Sequence, residues 1–138
     1  MFIRGEANEA SIELSEQEGL SKTDGSEYYR VTLRENQFKV SACVYAFDPK
    51  DDSLGKFFTE LASDWRGWDG SRKWMSLEGE FQLECQHDGV GHVDIIASLH
   101  SNPYDHGWSG QIRFAITAGE LEEVSTRVNR FFAADCDP

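Results

Sequence analysis

The sequence predicts an α+β fold: a two-layer sandwich in which a mainly antiparallel, twisted sheet of six to seven strands has two helices packed on one face. Hydrophobic residues alternate with polar ones in several segments, as in half-buried strands, and recur at spacings of three and four in two others, as in amphipathic helices. The connections are short, which favours antiparallel neighbours. With 138 residues, the chain fits a single domain spanning residues 1–138.

Three strands are predicted in the N-terminal part. The first covers residues 10–15 and the second 29–34, with apolar residues at every second position. The pair Asn36-Gln37 marks a tight turn into a third strand over 38–47. Because this third strand is partly apolar on both faces, it is expected in the centre of the sheet.

Two amphipathic helices are predicted. The first follows turn residues 48–53, and its apolar residues recur at helical spacing over 54–65, with Gly67 placed to end it. The second opens with the capping-box pattern Thr117-Ala-Gly-Glu120 and then has apolar residues at spacings of three and four.

Between the helices the alternation returns to period two. It predicts one long strand from residue 73 to 85, or two collinear strands bent at Gly79. In this register Met75 points inward, and Trp74 covers the outer face of the sheet.

Two more strands complete the predicted sheet. The segment 87–92 contains the Asp-Gly signature of a hairpin, and a return strand over 93–99 follows it. A loop then leads to the last strand, over 108–116.

The charge balance narrows the class of partner. The chain has 25 acidic and 13 basic residues, a net charge of −12, and such a field repels nucleic acids and anionic lipid surfaces. A basic protein partner would be attracted, although solubility alone explains most acidic proteins. We therefore expect no nucleic-acid partner and no membrane association.

The termini and cysteines indicate the compartment. The first ten residues lack the apolar region of a signal peptide, and no apolar run approaches the ~20 residues of a membrane span. Cysteines at positions 43, 85 and 136 lack the close pairs of a disulfide framework. These features predict a cytoplasmic protein with reduced thiols.

No motif identifies a reaction. The four histidines match no established zinc spacing, so neither a metal nor a cofactor is predicted. Cys85 and His87 share a strand face, but Cys85 continues an apolar series, which favours a buried thiol over a catalytic thiolate. The carboxylates are too numerous for spacing to select a catalytic pair. No catalytic residue is therefore predicted.

The segment 65–78 holds three of the four tryptophans and has two interpretations. In the structural one it is a helix-to-strand connection with glycines at its turns. In the functional one it is a contact patch, since aromatic and arginine side chains are enriched in interface hot spots. The predicted partner- or ligand-binding residues are Trp68, Asp69, Arg72, Trp74 and Trp108.

Four ordered motifs lie between residues 57 and 132: Leu61-Ala-x-Asp-Trp65-Arg-Gly-Trp68-Asp-Gly70, Trp74-x-Ser-Leu-Glu78, His87-Asp-Gly89-x-Gly-His92-Val and Ala118-Gly-Glu120-Leu. They resemble an uncharacterised family of small bacterial proteins, a domain of unknown function. The resemblance implies a bacterial cytoplasmic protein. It carries no catalytic residue, cofactor or substrate onto this sequence.

Three functional hypotheses follow. The first is a non-enzymatic protein-binding module, of the immunity or inhibitor type, with a basic partner. The second is a small-molecule-binding protein or enzyme that uses an aromatic-lined cleft between sheet and helix, with the 68–74 turn and the Trp108 loop as its rim. The third is a homodimer in which a partner covers an exposed sheet face.

Overall fold

The computed structural model describes residues 1–6, 10–16, 28–46, 53–102 and 106–133. In these ranges the strands are β1 (Phe2–Arg4), β2 (Ser11–Glu16), β3 (Tyr28–Glu35), β4 (Phe38–Tyr45), β5 (Ser71–Met75), β6 (Phe81–His87), β7 (His92–His100) and β8 (Ser109–Thr117). The helices are α1 (Leu54–Ser63) and α2 (Leu121–Ala133), and a short 3₁₀ turn (Ala118–Glu120) leads into α2.

The prediction of one sheet with six to seven strands is wrong. The described strands form two separate four-stranded antiparallel sheets, β1-β2-β3-β4 and β5-β6-β7-β8, called here the first and second sheets. Each strand pairs only with its chain neighbours, because local hairpins fix those pairings, whereas α1 intervenes between β4 and β5. Consequently β4, predicted to be central, lies at an edge of the first sheet.

The inner faces of the two sheets approach each other where β8 carries a glycine. A Cβ atom at Gly110 would lie 3.0 Å from Cζ of Phe38 and 3.1 Å from Cγ2 of Val40, both on β4. A side chain at this position would hold the sheets apart. Buried hydrophobic residues of both sheets and both helices form one cluster.

The prediction of one long strand over 73–85, or of two collinear strands bent at Gly79, is also wrong, because the chain reverses within this segment and β5 and β6 pair antiparallel. Ser76 N–H donates to the Phe81 carbonyl at 2.9 Å, and Gly79 N–H donates to the Ser76 carbonyl at 2.9 Å. This hairpin inverts the inward-outward alternation before it. Trp74 is therefore buried, 3% exposed, whereas Met75 is exposed.

One acidic side chain links the two sheets. The Glu80 side chain, buried between β5 and β6, accepts the Ser76 hydroxyl at 2.9 Å and the N–H of Tyr45, at the end of β4, at 3.0 Å. A second link is the bond from Glu6 N–H to the Ala115 carbonyl of β8, at 2.8 Å.

The two helices pack against each other in antiparallel directions, since Gly55 contacts Asn129 and Thr59 contacts Ser125. A Cβ atom at Gly55 would collide with the Asn129 side chain, so glycine permits the close approach. The Asn129 amide donates to the Ser125 carbonyl at 2.8 Å and to the Gly55 carbonyl at 3.2 Å. The contact between the helices is thus polar and closely fitted.

The helix starts follow the sequence signals in part. The predicted turn residues 48–53 lie outside the described residues except for Ser53, whose hydroxyl accepts the Lys56 N–H at 3.1 Å and caps the start of α1. At the second helix Thr117 donates to the Glu120 carboxylate at 3.1 Å, but makes no side-chain cap to the backbone. In the described part of the chain, neither helix is long and apolar enough to cross a membrane.

Candidate functional site

The chain between α1 and β5 turns at two glycines. Gly67 has φ +140° and Gly70 has φ +71°, conformations that L side chains rarely adopt. Gly67 N–H donates to the Asp64 carbonyl at 2.9 Å, directly after the end of α1. The tryptophan segment thus begins as the predicted helix-to-strand connection.

The His87 side chain, on β6, holds this connection in place through hydrogen bonds. Gly89 N–H donates to Nδ1 of His87 at 2.8 Å, so Nδ1 carries a lone pair and no proton. Nε2 must then hold the proton that it donates to the Trp65 carbonyl at 2.9 Å. Position 67 also lies against this ring, since a Cβ at Gly67 would be 3.6 Å from Nδ1. The neutral imidazole is therefore a structural anchor for the connection.

Two of the predicted site residues, Trp68 and Arg72, come together beside this anchor. The Trp68 indole N–H donates to the Cys85 carbonyl at 3.3 Å, and its ring meets the His87 ring edge to face at 5.3 Å. The Arg72 guanidinium lies 5.0 Å from the Trp68 ring centre and 2.7 Å from the Asp64 carboxylate. Their polar atoms are thus engaged within the chain.

The other predicted site residues are dispersed. Asp69 is exposed in the turn, and Trp74 packs edge to face on Phe81 in the core. Trp108 is exposed, with its carbonyl accepting the Ser101 N–H at 2.9 Å. That is the opposite end of the second sheet, roughly 20 Å along the strands from Trp68. The five residues therefore do not line one cleft, and whether any of them binds a partner or ligand stays a prediction.

A different concavity lies between the helices and is called here the interhelical groove. Its volume is about 630 Å³, and Trp65, 49% exposed, stands at its edge. It is lined by Thr59, Ala62, Ser63, Trp65, Ala118, Gly119, Glu122, Ser125 and Thr126.

One carboxylate lines this groove, and three others lie near its lining residues in the sequence. Glu122 lines it, and Glu123 follows on the exposed surface of α2. Glu60 and Asp64 stand at the end of α1, whose last turn has no basic residue. Negative charge there opposes the helix dipole, so it is a local cost to α1, offset at Asp64 by Arg72. The groove is therefore a concavity with one lining carboxylate, Glu122, and an aromatic edge.

A family model described as a family of unknown function, DUF6228, matches residues 3–135. The chain belongs to this family. The match confirms the predicted membership of an uncharacterised family. Comparison of this DUF6228 member with curated proteins and with solved structures gives no match.

Cys85 of the DUF6228 chain, which shares strand β6 with His87, is not activated as a nucleophile. Burial, with a smaller effect of the Glu84 charge, raises the pKa of the Cys85 thiol to about 12. The thiol is therefore protonated at neutral pH, and a thiolate nucleophile is absent from this position.

The histidines at the β6–β7 hairpin differ as their alternation predicts. His87 is buried, whereas His92 is half exposed, with Nδ1 3.2 Å from the Asp88 carboxylate. Backbone N–H groups of His92 and Val90 donate to that carboxylate, which lowers the pKa of Asp88. Within the described ranges no group of three or more metal-ligating side chains converges.

The sequence pattern does not reveal the interhelical groove. Helical spacing places Trp65 on the buried stripe of α1, but the helix ends at Ser63 and the indole is half exposed. Gly67 is the sequence signal that could have revealed the groove. A glycine two residues after Trp65 indicates that the helix has already ended there, so Trp65 lies in the turn that follows α1.

Proposed function

We propose that this chain is a non-enzymatic protein-binding module that holds a basic segment of a partner in the interhelical groove. One observation carries the proposal: the half-exposed Trp65 stands in a groove that is also lined by the carboxylate of Glu122. A partially buried tryptophan next to complementary charge is the usual form of an interface hot spot.

Trp65 is suited to the role of a rigid anchor. Its carbonyl is fixed by His87 at 2.9 Å, so the backbone is held before any partner arrives. The ring is covered only in part, by the Arg66 guanidinium at 5.3 Å. Binding would therefore need little ordering of the backbone, and ordering is one of the main costs of association.

The carboxylates supply the complementary charge. Among the described residues, Glu122 and Glu123 have no basic side chain within ion-pair distance, whereas Glu60 has Lys56 at 3.8 Å. Lysine or arginine side chains of a partner would find unpaired acceptors beside the tryptophan. Such pairs raise the association rate and weaken as salt is added.

The test uses a short fluorescently labelled lysine-rich helical peptide with one leucine face. We expect Trp65→Ala and Glu122→Gln each to weaken its binding about tenfold, and added salt to weaken binding to the native chain. The matched controls are Trp108→Ala and Glu84→Gln, which alter exposed or half-exposed residues of the second sheet. The proposal would be contradicted if the control variants lost as much affinity, or if the affinity of the native chain did not change with salt concentration.

A second candidate occupant is a small neutral polar molecule. Thr59, Ser63 and Thr126 are among the lining residues, and the volume of the groove suits a small ligand. Titration with disaccharides, followed by tryptophan fluorescence in the native chain and in Trp65→Ala, tests this alternative, since the binding of a neutral molecule does not depend on salt.

The predicted homodimer is tested by light scattering at several protein concentrations.

A further inference from the structure

We propose that the outer face of the first sheet is a second docking surface, and that it binds an acidic segment of a partner polypeptide. This face, called here the basic face, is separate from the interhelical groove. The strand registers of β1 to β4 place on it four basic side chains and one carboxylate. The basic ones are Arg4, Arg30, Arg34 and Lys39, and the acidic one is Glu13.

The sign of this face is opposite to that of the chain. Its net charge is +3, within a chain of net charge −12. Arg4, Ser11, Arg34 and Lys39 form one row across all four strands. Neighbouring strands are about 4.8 Å apart, so three cationic side chains start within roughly 15 Å of one another. The positive charge is therefore concentrated in one place.

Within the described residues, one cation of the basic face has an ion-pair partner. Arg34 reaches Glu13 only at 3.5 Å, and within the described residues neither Arg30 nor Lys39 has an ion-pair partner. Arg34 and Lys39 lie directly opposite each other on paired strands, an arrangement that destabilises a sheet. Like charges kept opposite each other are expected where charge serves binding.

The rest of the face suits a polypeptide. Thr32 and Ser41 join their hydroxyls at 2.8 Å in the middle of it, and the Arg4 guanidinium lies 4.6 Å above the Phe2 ring. Arginine forks bind carboxylates in a two-pronged manner. The face thus offers cationic groups and aromatic rings.

The charge distribution favours an acidic polypeptide segment over a nucleic acid. From Tyr28 to Arg34 the face is roughly 20 Å long. A polypeptide can confine its carboxylates to that length. A nucleic acid carries a charge at every nucleotide and would continue from the basic face onto the acidic remainder of this chain.

The experiment uses a short fluorescein-labelled peptide of alternating glutamate and serine, with the glutamine-serine peptide as the uncharged probe. We expect the native chain to bind the acidic peptide only, and the double variant R34Q/K39Q to bind it about tenfold more weakly. The control double variant K73Q/R113Q removes the same charge from the outer face of the second sheet and should bind as the native chain does.

Three results would overturn the proposal: no binding of the acidic peptide, equal loss in the two double variants, or tighter binding of a short oligothymidylate through the basic face. Thermal melting of each variant establishes that it is folded. Glu122→Gln should leave acidic-peptide binding unchanged, so failure at the basic face and failure at the interhelical groove are distinguishable.

Discussion

The inner faces of the two sheets are packed in the same way, but their outer faces differ in how charges are arranged. Each is a four-stranded antiparallel meander with one face in the shared hydrophobic cluster. On the outer face of the second sheet opposite charges are neighbours: Lys73 lies opposite Glu84, and Arg113 lies 3.7 Å from Asp94. On the first sheet Arg34 pairs with Glu13 at 3.5 Å but also lies opposite Lys39. Burial constrains both inner faces in the same way, whereas the outer faces are free to differ.

The similarity of the inner faces predicts the largest effect. Leu33 of β3 and Leu99 of β7 are both fully buried. We expect Leu33→Ala and Leu99→Ala each to lower the free energy of unfolding by about 3 kcal/mol, because each leaves a cavity in one core. Chemical denaturation followed by circular dichroism measures this.

The same experiment tests the single-domain prediction. If the sheets share one core, each variant unfolds in one transition at a lower denaturant concentration. Two separate transitions, with only one of them shifted, would show that the sheets are independent. Val90→Ala, at an exposed hairpin position, serves as the control and should change stability little.

The polar link between the sheets predicts the next effect. Glu80→Ala removes the acceptor of both the Ser76 hydroxyl and the Tyr45 N–H. We expect a loss of about 2 kcal/mol in the free energy of unfolding, the cost of leaving buried donors without their acceptor. Glu84→Ala, on the outer face of the adjoining strand β6, should cost clearly less in the same denaturation assay, and equal costs would contradict this role of Glu80.

The helix pair resembles the two sheets in one respect. Packing restricts which residues can lie at the contact between the helices, whereas residues on the outer surface are not restricted in this way. Gly55→Ala should lower the free energy of unfolding by about 1 kcal/mol, because the new methyl displaces the Asn129 amide from its hydrogen bonds. In an Asn129→Ala background the clash is gone, and alanine is the better helix former. There Gly55→Ala should be neutral or stabilising, and a loss equal to that in the native background would contradict the geometry.

The local elements could be predicted from the sequence, and the assembly of the sheets could not. Alternation locates β2, β3 and β7, and Asn36, with φ +54°, makes the expected tight turn. The hairpin at Ser76 could not be predicted because apolar and polar residues continue to alternate through it. For that reason the alternation assigns Trp74 to the outer face of the sheet, although it is buried. The division into two sheets depends on contacts across the core, such as those at Gly110, which no local pattern encodes.

The candidate site divides in the same way. Proximity along the chain correctly brings Trp68 and Arg72 together, but it cannot reveal that Cys85 and His87 engage the same segment from β6. The basic face was within reach of sequence reasoning. Arg30 and Arg34 alternate outward on β3, and a tight turn after Glu35 places Lys39 beside Arg34. Net charge conceals this arrangement, because it sums over faces that a partner meets separately.

The smallest expected effect bears most directly on the contrast between the outer faces. Lys39→Glu replaces the like-charge pair with Arg34 by an attractive one, and should raise the free energy of unfolding by about 0.5 kcal/mol. Glu84→Lys places a second lysine opposite Lys73 on the second sheet and should lower it by a similar amount. Parallel denaturation curves at low salt measure both changes, and high salt should reduce both.

Binding of the glutamate-serine peptide shows whether the like-charge pair is kept for function. If the like-charge pair is retained for binding, Lys39→Glu gains stability and loses affinity for the glutamate-serine peptide in the same molecule. Such opposed changes are typical of residues kept for function at a cost in stability. A variant that gains stability and still binds the acidic peptide as the native chain does would mean that Lys39 serves neither purpose, and the difference between the two outer faces would carry no functional information.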